Sequence, residues 1–232
     1  MRIPTIAAVG WSDWIRGGAE IEPSLYAADF SCLGEQIDQL LNAGARIFHF
    51  DMGDGHFVPP VTMGPVVLRS IAPMVHERGG VLDCHLMVDD PVHHFREIAE
   101  SGGDSVTFHV EAVSDPNAVI GAAREVALGV GIAFNPGTSV DDAARAARGA
   151  DLVLCMSIVP GYSGQAFMHE ALDRIRELSR RVDCPVQVDG GIKHDNARAV
   201  FDAGARLLVV GSGIFGQEDI PRAFRRLDAG LR

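Results

Sequence analysis

Lysine is almost missing from this chain: Lys193 is the only one in 232 residues. Covalent chemistry through an amine therefore has a single candidate nucleophile. Positive charge is scarce in general. Lys and Arg together number 20 against 31 Asp and Glu, a formal charge of −11 at pH 7. That is the wrong sign for the phosphate attraction that dominates non-specific nucleic-acid binding. No nucleic-acid partner is expected, and an anionic small molecule would have to be held by local features such as backbone N–H groups. Long apolar runs are also missing, so no membrane partner is expected. The four cysteines, Cys32, Cys84, Cys155 and Cys184, show no Cys-x-x-Cys spacing, and two sit inside apolar strand-like runs. Reduced thiols in a cytoplasmic setting are the expectation. The opening MRIPTIAAVGW is mildly apolar, but Asp13 and Arg16 follow at once and the run is short for a secretory signal. Residues 1–18 read as an N-terminal extension.

Glycine and apolar residues are plentiful, and they are arranged. NAGARIFHF at 42–50, SGGDSVTFH at 101–109, RGADLVLCM at 148–156 and DAGARLLVV at 202–210 each set a glycine between a helix-like stretch and a β-rich run. Such a glycine suits a helix C-terminus, where φ is often positive. Further runs at IEPSLY, VLDCHLMV, VGIAFN and PVQVDGG bring the strand candidates to eight, separated by amphipathic stretches such as EQIDQLLNAG and ALDRIRELSRRV. Eight strands alternating with helices predict a parallel sheet closed into a single (β/α)8 TIM barrel over 19–232.

Within those apolar runs stand four side chains of another kind: His49 and Asp51 in RIFHFDM, His85 in VLDCHLMV and Asp189 in VQVDGGI. Strand side chains alternate faces, so His49 and Asp51 point the same way. All four fall near the C-terminal ends of strands, where chemistry gathers in such barrels. Each alone is as well explained by a satisfied core polar group. Together they form a ligand set for one divalent metal ion, because burying two carboxylates without a cation is very costly. Mixed nitrogen and oxygen donors suit Zn²⁺, Fe²⁺, Mn²⁺ or Co²⁺.

Glycine also crowds the loops on the other side of the mouth. The sixth strand leads into Gly161, Tyr162, Ser163 and Gly164, the seventh into Gly190 and Gly191, and the eighth into Gly211 and Ser212. Loops after strands 7 and 8 with a helix N-terminus behind them form a phosphate cradle in this architecture. The string Gly211-Ser212-Gly213-Ile214-Phe215-Gly216 matches a dinucleotide fingerprint, but no βαβ unit with an acidic residue follows, so that reading is rejected. His109 and Glu111 also end a strand, and a role behind the ligands is open for them. His76, His93, His94, His169 and His194 are expected at solvated positions.

The blocks IEPSLYAADF, HFDMGDGHFVPPVTMGP, DCHLMVDDP, TFHVEA, GIAFNPGTS, VLCMSIVPGYSGQAF, VDGGI and VGSGIF, in this order over roughly residues 20–216, resemble the ribulose-phosphate 3-epimerases. The resemblance implies that His49, Asp51, His85 and Asp189 hold the metal and that Asp51 and Asp189 double as the acid/base pair. It also implies that Ser24 lies by the substrate and that Met87 and Met156 line the reacting centre. The implied reaction is epimerisation at C3 of D-ribulose 5-phosphate, and such barrels often self-associate, so a homo-oligomer is expected. The chain departs from the family pattern at Gly53, where a methionine is usual, and at Pro60, Val159 and Ser163. Gly53 is expected to leave a gap over the site, which makes a six-carbon ketose phosphate such as allulose 6-phosphate the second candidate substrate. A Schiff-base aldolase is disfavoured because Lys193 lies beyond the seventh strand. A related decarboxylase would carry Asp-x-Lys-x-x-Asp, which FDMGDG lacks. A non-catalytic phosphosugar-binding protein remains the alternative from another class.

Overall fold

The computed structural model describes residues 10, 11, 14, 15 and 18–232, so most of the extension expected over 1–18 lies outside the described residues. Eight strands follow the apolar runs in order: β1 (Glu20–Pro23), β2 (Ile47–Gly53), β3 (Val81–Met87), β4 (Ser105–His109), β5 (Gly129–Phe134), β6 (Leu152–Met156), β7 (Val186–Asp189) and β8 (Leu207–Val210). Every ladder is parallel, and the order around the sheet is β1-β8-β7-β6-β5-β4-β3-β2. A parallel bridge between Ser24 and His49 joins the remaining edge, closing the (β/α)8 barrel that the alternating pattern predicts.

Helices wrap the outside: α1 (Leu33–Ala43), α2 (Pro65–Glu77), α3 (Pro91–Ser101), α4 (Pro116–Glu125), α5 (Val140–Ala146), α6 (Ala171–Leu178), α7 (Ala197–Asp202), the single turn α8 (Ser212–Phe215) and α9 (Ile220–Leu231). Four of them start with proline in the first turn behind an Asp or Gly N-cap, where the missing N–H costs nothing. The repeated glycine ends helices as expected. Gly44, at φ 107°, sits in the left-handed region past α1, and its N–H satisfies the Leu40 and Leu41 carbonyls. Gly102, Gly149 and Gly204 repeat that conformation.

Strand alternation stacks the barrel interior in layers. The floor is apolar: Ile47, Val81, Leu152 and Leu207, at the strand starts, pack against Trp11 and Trp14. Trp14 is fixed there by Arg46, whose guanidinium donates to its carbonyl at 2.7 Å and lies 5.3 Å above its ring. The middle layer is polar: Glu22, His49, Asp83, Ser105 and Gln187 are all completely buried. Above it lies the mouth, where the strands end.

Candidate metal and proton-transfer site

Register explains why four side chains distant in sequence meet. Asp51 and His85 are direct partners across the β2–β3 ladder, Met156 and Asp189 are partners across β6–β7, and Ser24 is bridged to His49. Nδ1 of His85 lies 3.1 Å from Oδ1 of Asp51 and 4.0 Å from Oδ2 of Asp189. Nε2 of His49 is 3.3 Å from the same Asp51 oxygen. One ligand atom from each of His49, Asp51, His85 and Asp189 falls within 4.8 Å of all the others, the arrangement expected of donors around a single ion. Neither ring nitrogen of His49 has a hydrogen-bond partner, although the ring is wholly buried. Orphaned imidazole nitrogens facing carboxylates fit a metal-binding role, and the donor set is chemically suited to it.

The electrostatics separate the two aspartates. Burial alone would push Asp51 up, but the charge of His49 and the close approach of the His49 and His85 imidazoles outweigh it and hold the carboxyl well below the usual range. At Asp189 the charge of His49 and the Gly190 N–H pull down too weakly to win. Burial, reinforced by the negative charge of Asp51, lifts it to about 7. Burial pulls His49 down, yet Asp51, Asp83 and Glu22 together raise it well above its ordinary value. Ser24 takes part directly, its Oγ donating to Oδ2 of Asp51 at 2.7 Å.

The remaining residues of the predicted site surround a small mouth cavity of about 50 Å³. Ser24 and Asp51 stand on one wall and Asp189, Gly190 and Gly191 on another. Met87, Met156, the run Gly161, Tyr162, Ser163 and Gly164, and the pair Gly211 and Ser212 also line it. His49 and His85 lie behind the carboxylates with no exposed surface. At Gly190 the need for glycine is geometric: φ is +119° and a Cβ would sit 2.4 Å from Ile158 Cγ1. Ser157 Oγ donates to the carbonyls of Asp189 and Gly190, fixing the turn.

Two expectations need correction. Gly53 leaves no gap, because the chain after β2 folds back over it. A Cβ there would lie 2.9 Å from the Pro60 carbonyl oxygen and 2.9 Å from Val58 Cγ2. His76 is not a plain solvated histidine: its Nε2 lies 2.9 Å from Oδ2 of Asp104, pinning α2 to the start of β4.

Some residues escape a reading by motif. Tyr26 lines the cavity along with Tyr162. Beneath the mouth, the Gln187 side-chain amide donates to Glu22 Oε2 at 2.5 Å and to Asp83 Oδ2 at 2.8 Å, while His49 Nδ1 lies 3.7 Å and 3.4 Å from the same two oxygens. The signal was the alternation itself: Glu22, Asp83 and Gln187 each precede a mouth residue by two positions, as His49 precedes Asp51.

A family model for the ribulose-phosphate 3 epimerase family matches residues 20–215. The chain is 38% identical over 213 residues to the ribulose-phosphate 3-epimerase of Aquifex aeolicus, covering 89% of this chain and 94% of that one. It is 35% identical over 214 residues to the ribulose-phosphate 3-epimerase of Bacillus subtilis, covering 90% and 97%. Among solved structures it resembles a 3-hexulose-6-phosphate synthase, with TM-score 0.72, 18% identity and coverage of 92% and 100%. It also resembles a thiamine phosphate pyrophosphorylase from Pyrococcus furiosus, with TM-score 0.66, 21% identity and coverage of 93% and 96%. At those identities the structural likeness concerns the fold alone.

Proposed function

The chain belongs to the ribulose-phosphate 3-epimerase family, and we propose from its mouth geometry that it interconverts D-ribulose 5-phosphate and D-xylulose 5-phosphate by proton transfer between two aspartates. It is an enzyme of the isomerase class. The observation that carries the residue-level reading is that Asp51 on β2 and Asp189 on β7 face one cavity from different strands of the barrel.

Inverting a carbinol carbon beside a ketone requires a proton to leave one face and another to reach the opposite face, so two groups on different sides are needed. Asp51, ending β2 and held ionised, suits the base that takes the C3 proton. Asp189, ending β7 and lifted to about 7 by burial, suits the acid that returns one. An enediolate lies between the two transfers, and the reverse reaction exchanges the roles. Ser24 orients Asp51 through Oδ2. Met87 and Met156, both buried, keep water from the intermediate without offering a competing acid. A divalent metal ion held by His49, Asp51, His85 and Asp189 would polarise the ketone and offset developing negative charge, and the donor set favours Zn²⁺, Fe²⁺, Mn²⁺ or Co²⁺. Backbone groups at Gly190, Gly191, Gly211 and Ser212 would receive the phosphate, which suits a chain short of lysine. The filled space above Gly53 removes the ground for preferring a six-carbon substrate.

The same reading takes residues 1–18 as an extension and 19–232 as the catalytic barrel. It takes the chain as a cytoplasmic homo-oligomer, supported by four unpaired thiols and by exposed Phe30, Val61 and Val66. No helix among the described residues is long and apolar enough to cross a membrane. The test is exchange of the C3 proton in deuterated water across a panel of ketose phosphates. Label is expected at C3 of both five-carbon epimers, and protein that binds the sugars without exchange would favour a mere binding role.

A further inference from the structure

His85 has two ring nitrogens, and the reading above uses one. Nδ1 faces Asp51 and Asp189; Nε2 is turned to the end of β4, 2.8 Å from Nε2 of His109, with the two rings stacked at 27°. Nδ1 of His109 in turn lies 3.3 Å from Oε2 of Glu111. The other oxygen of Glu111 accepts from the Asn135 N–H at 2.8 Å and from the Thr138 hydroxyl. Both histidines are fully buried, and the ring of Phe57 covers His109 with centroids 4.8 Å apart.

We propose that Glu111 and His109 are positioning residues that set the tautomer of His85, so that its Nδ1 lone pair is directed at the metal position; this rests on the reading of His85 as a ligand. Proton counting gives the direction. Glu111 serves as an acceptor on its other oxygen, so the group facing it, Nδ1 of His109, donates. Two imidazole nitrogens 2.8 Å apart accommodate one proton between them. With the His109 proton already on Nδ1, the shared proton belongs to His85 Nε2. That leaves Nδ1 of His85 bare, 3.1 Å from a carboxylate oxygen of Asp51. A lone pair held against a carboxylate repels it, and a cation between them converts that repulsion into two bonds. The wire therefore orders the ligand before any ion arrives, and its outer end is anchored on the loop between β5 and α5. Partners of this kind hold metal-ligating histidines in one tautomer and raise their basicity.

The wiring is read directly by two-bond ¹H–¹⁵N correlation of the imidazoles in the full chain after chelation. The expected pattern is a proton on Nε2 of His85 and on Nδ1 of His109. A proton on Nδ1 of His85, or averaged tautomers on either ring, overturns the proposal. Cobalt affinity by chelator competition, with the visible spectrum of the cobalt form, supplies the second readout. His109→Leu removes the acceptor and is expected to weaken cobalt binding about 10- to 100-fold and to change the spectrum. His109→Gln, whose Oε1 can accept from His85, is expected to recover affinity to within a few-fold. Equal losses in the two variants overturn the proposal in favour of a packing role. If His85 is not a ligand, His85→Ala leaves the cobalt spectrum unchanged while the tautomer pattern stands, so the two failures are told apart.

Discussion

Oδ1 of Asp51 lies 3.1 Å from Nδ1 of His85, its partner across the β2–β3 ladder. The contact is a product of register: with Ile47 opposite Val81 at the start of the ladder, the fifth residue of each strand must meet at its end. The purified protein is expected to carry about one divalent ion per chain and to lose activity on chelation, because a buried Asp51 facing a partly buried Asp189 without an ion is electrostatically unfavourable. His85→Ala should lower metal content by more than the roughly 10- to 100-fold typical of losing an outer partner. Elemental analysis after dialysis checks this, and full activity after exhaustive chelation would sink the metal assignment.

The two aspartates make separable predictions. Asp51→Asn and Asp189→Asn should each slow net epimerisation by about 10²- to 10⁴-fold, the usual contribution of a positioned acid or base. One variant is expected to keep C3 exchange on the epimer its surviving carboxylate can reach. Metal content must be measured alongside, since both residues are also ligands in the proposed site. Asp189→Asn with bound metal and near-normal turnover would show that the pairing is wrong.

How much of this the sequence reveals depends on the layer of the barrel. The mouth is legible because each of its residues carries chemistry at a strand end next to a glycine loop. The middle layer is harder to read: Glu22 lies in a strand of only four residues and Gln187 in a run that reads as apolar, so the two-residue offset from Ser24 and Asp189 gives each a face but not its partners. Only the parallel register, with Gln187 opposite Leu207 and Asp83 opposite Ser105, brings them under His49. The floor is hidden for a different reason. Trp11 and Trp14 precede the first strand, and nothing local says that a tryptophan there will turn back under the barrel. The loop over Gly53 depends on a contact nine residues away, between the Gly53 N–H and Thr62 Oγ1, which no periodicity encodes.

The clasp between His76 and Asp104 should make stability depend on pH. The hydrogen bond to Asp104 raises the imidazole above its ordinary value, burial opposes it, and the aspartate charge adds to the rise. A folded value above the unfolded one means that the protonated form is favoured by folding. The contribution is thus complete below about pH 6.5, the unfolded value, and is lost as pH rises through the folded one. His76→Leu should therefore cost more at about pH 5.5 than at about pH 9. The side chain is 36% exposed, so the difference is expected at roughly 0.2–1 kcal/mol, the range of solvent-screened pairs. Urea midpoints at the two pH values decide it, and an equal loss at both would remove the charge from the explanation.

Gly53 is packed from above, and substitution there should act on the whole mouth. Its N–H donates to Thr62 Oγ1 at 2.7 Å, Thr62 donates on to the Asp51 carbonyl at 2.7 Å, and the Thr62 N–H returns to the Gly53 carbonyl at 3.2 Å. The loop is stitched down onto the strand that carries Asp51. A Cβ on Gly53 would meet Pro60 and Val58 at 2.9 Å, and those residues in turn support the rim, where the Cβ position of Gly161 lies 3.4 Å from Val58 and 3.5 Å from Pro60. Pushing them outward moves the rim and strains the strand end together. Gly53→Ala and Gly53→Met are both expected to destabilise the fold by about 1–3 kcal/mol, the cost of overpacking. They should lower kcat/KM for ribulose 5-phosphate and allulose 6-phosphate alike, leaving their ratio unchanged. A Gly53→Met enzyme that gains on the five-carbon substrate while losing on the six-carbon one would mean that the loop over Gly53 yields and that open space exists there after all.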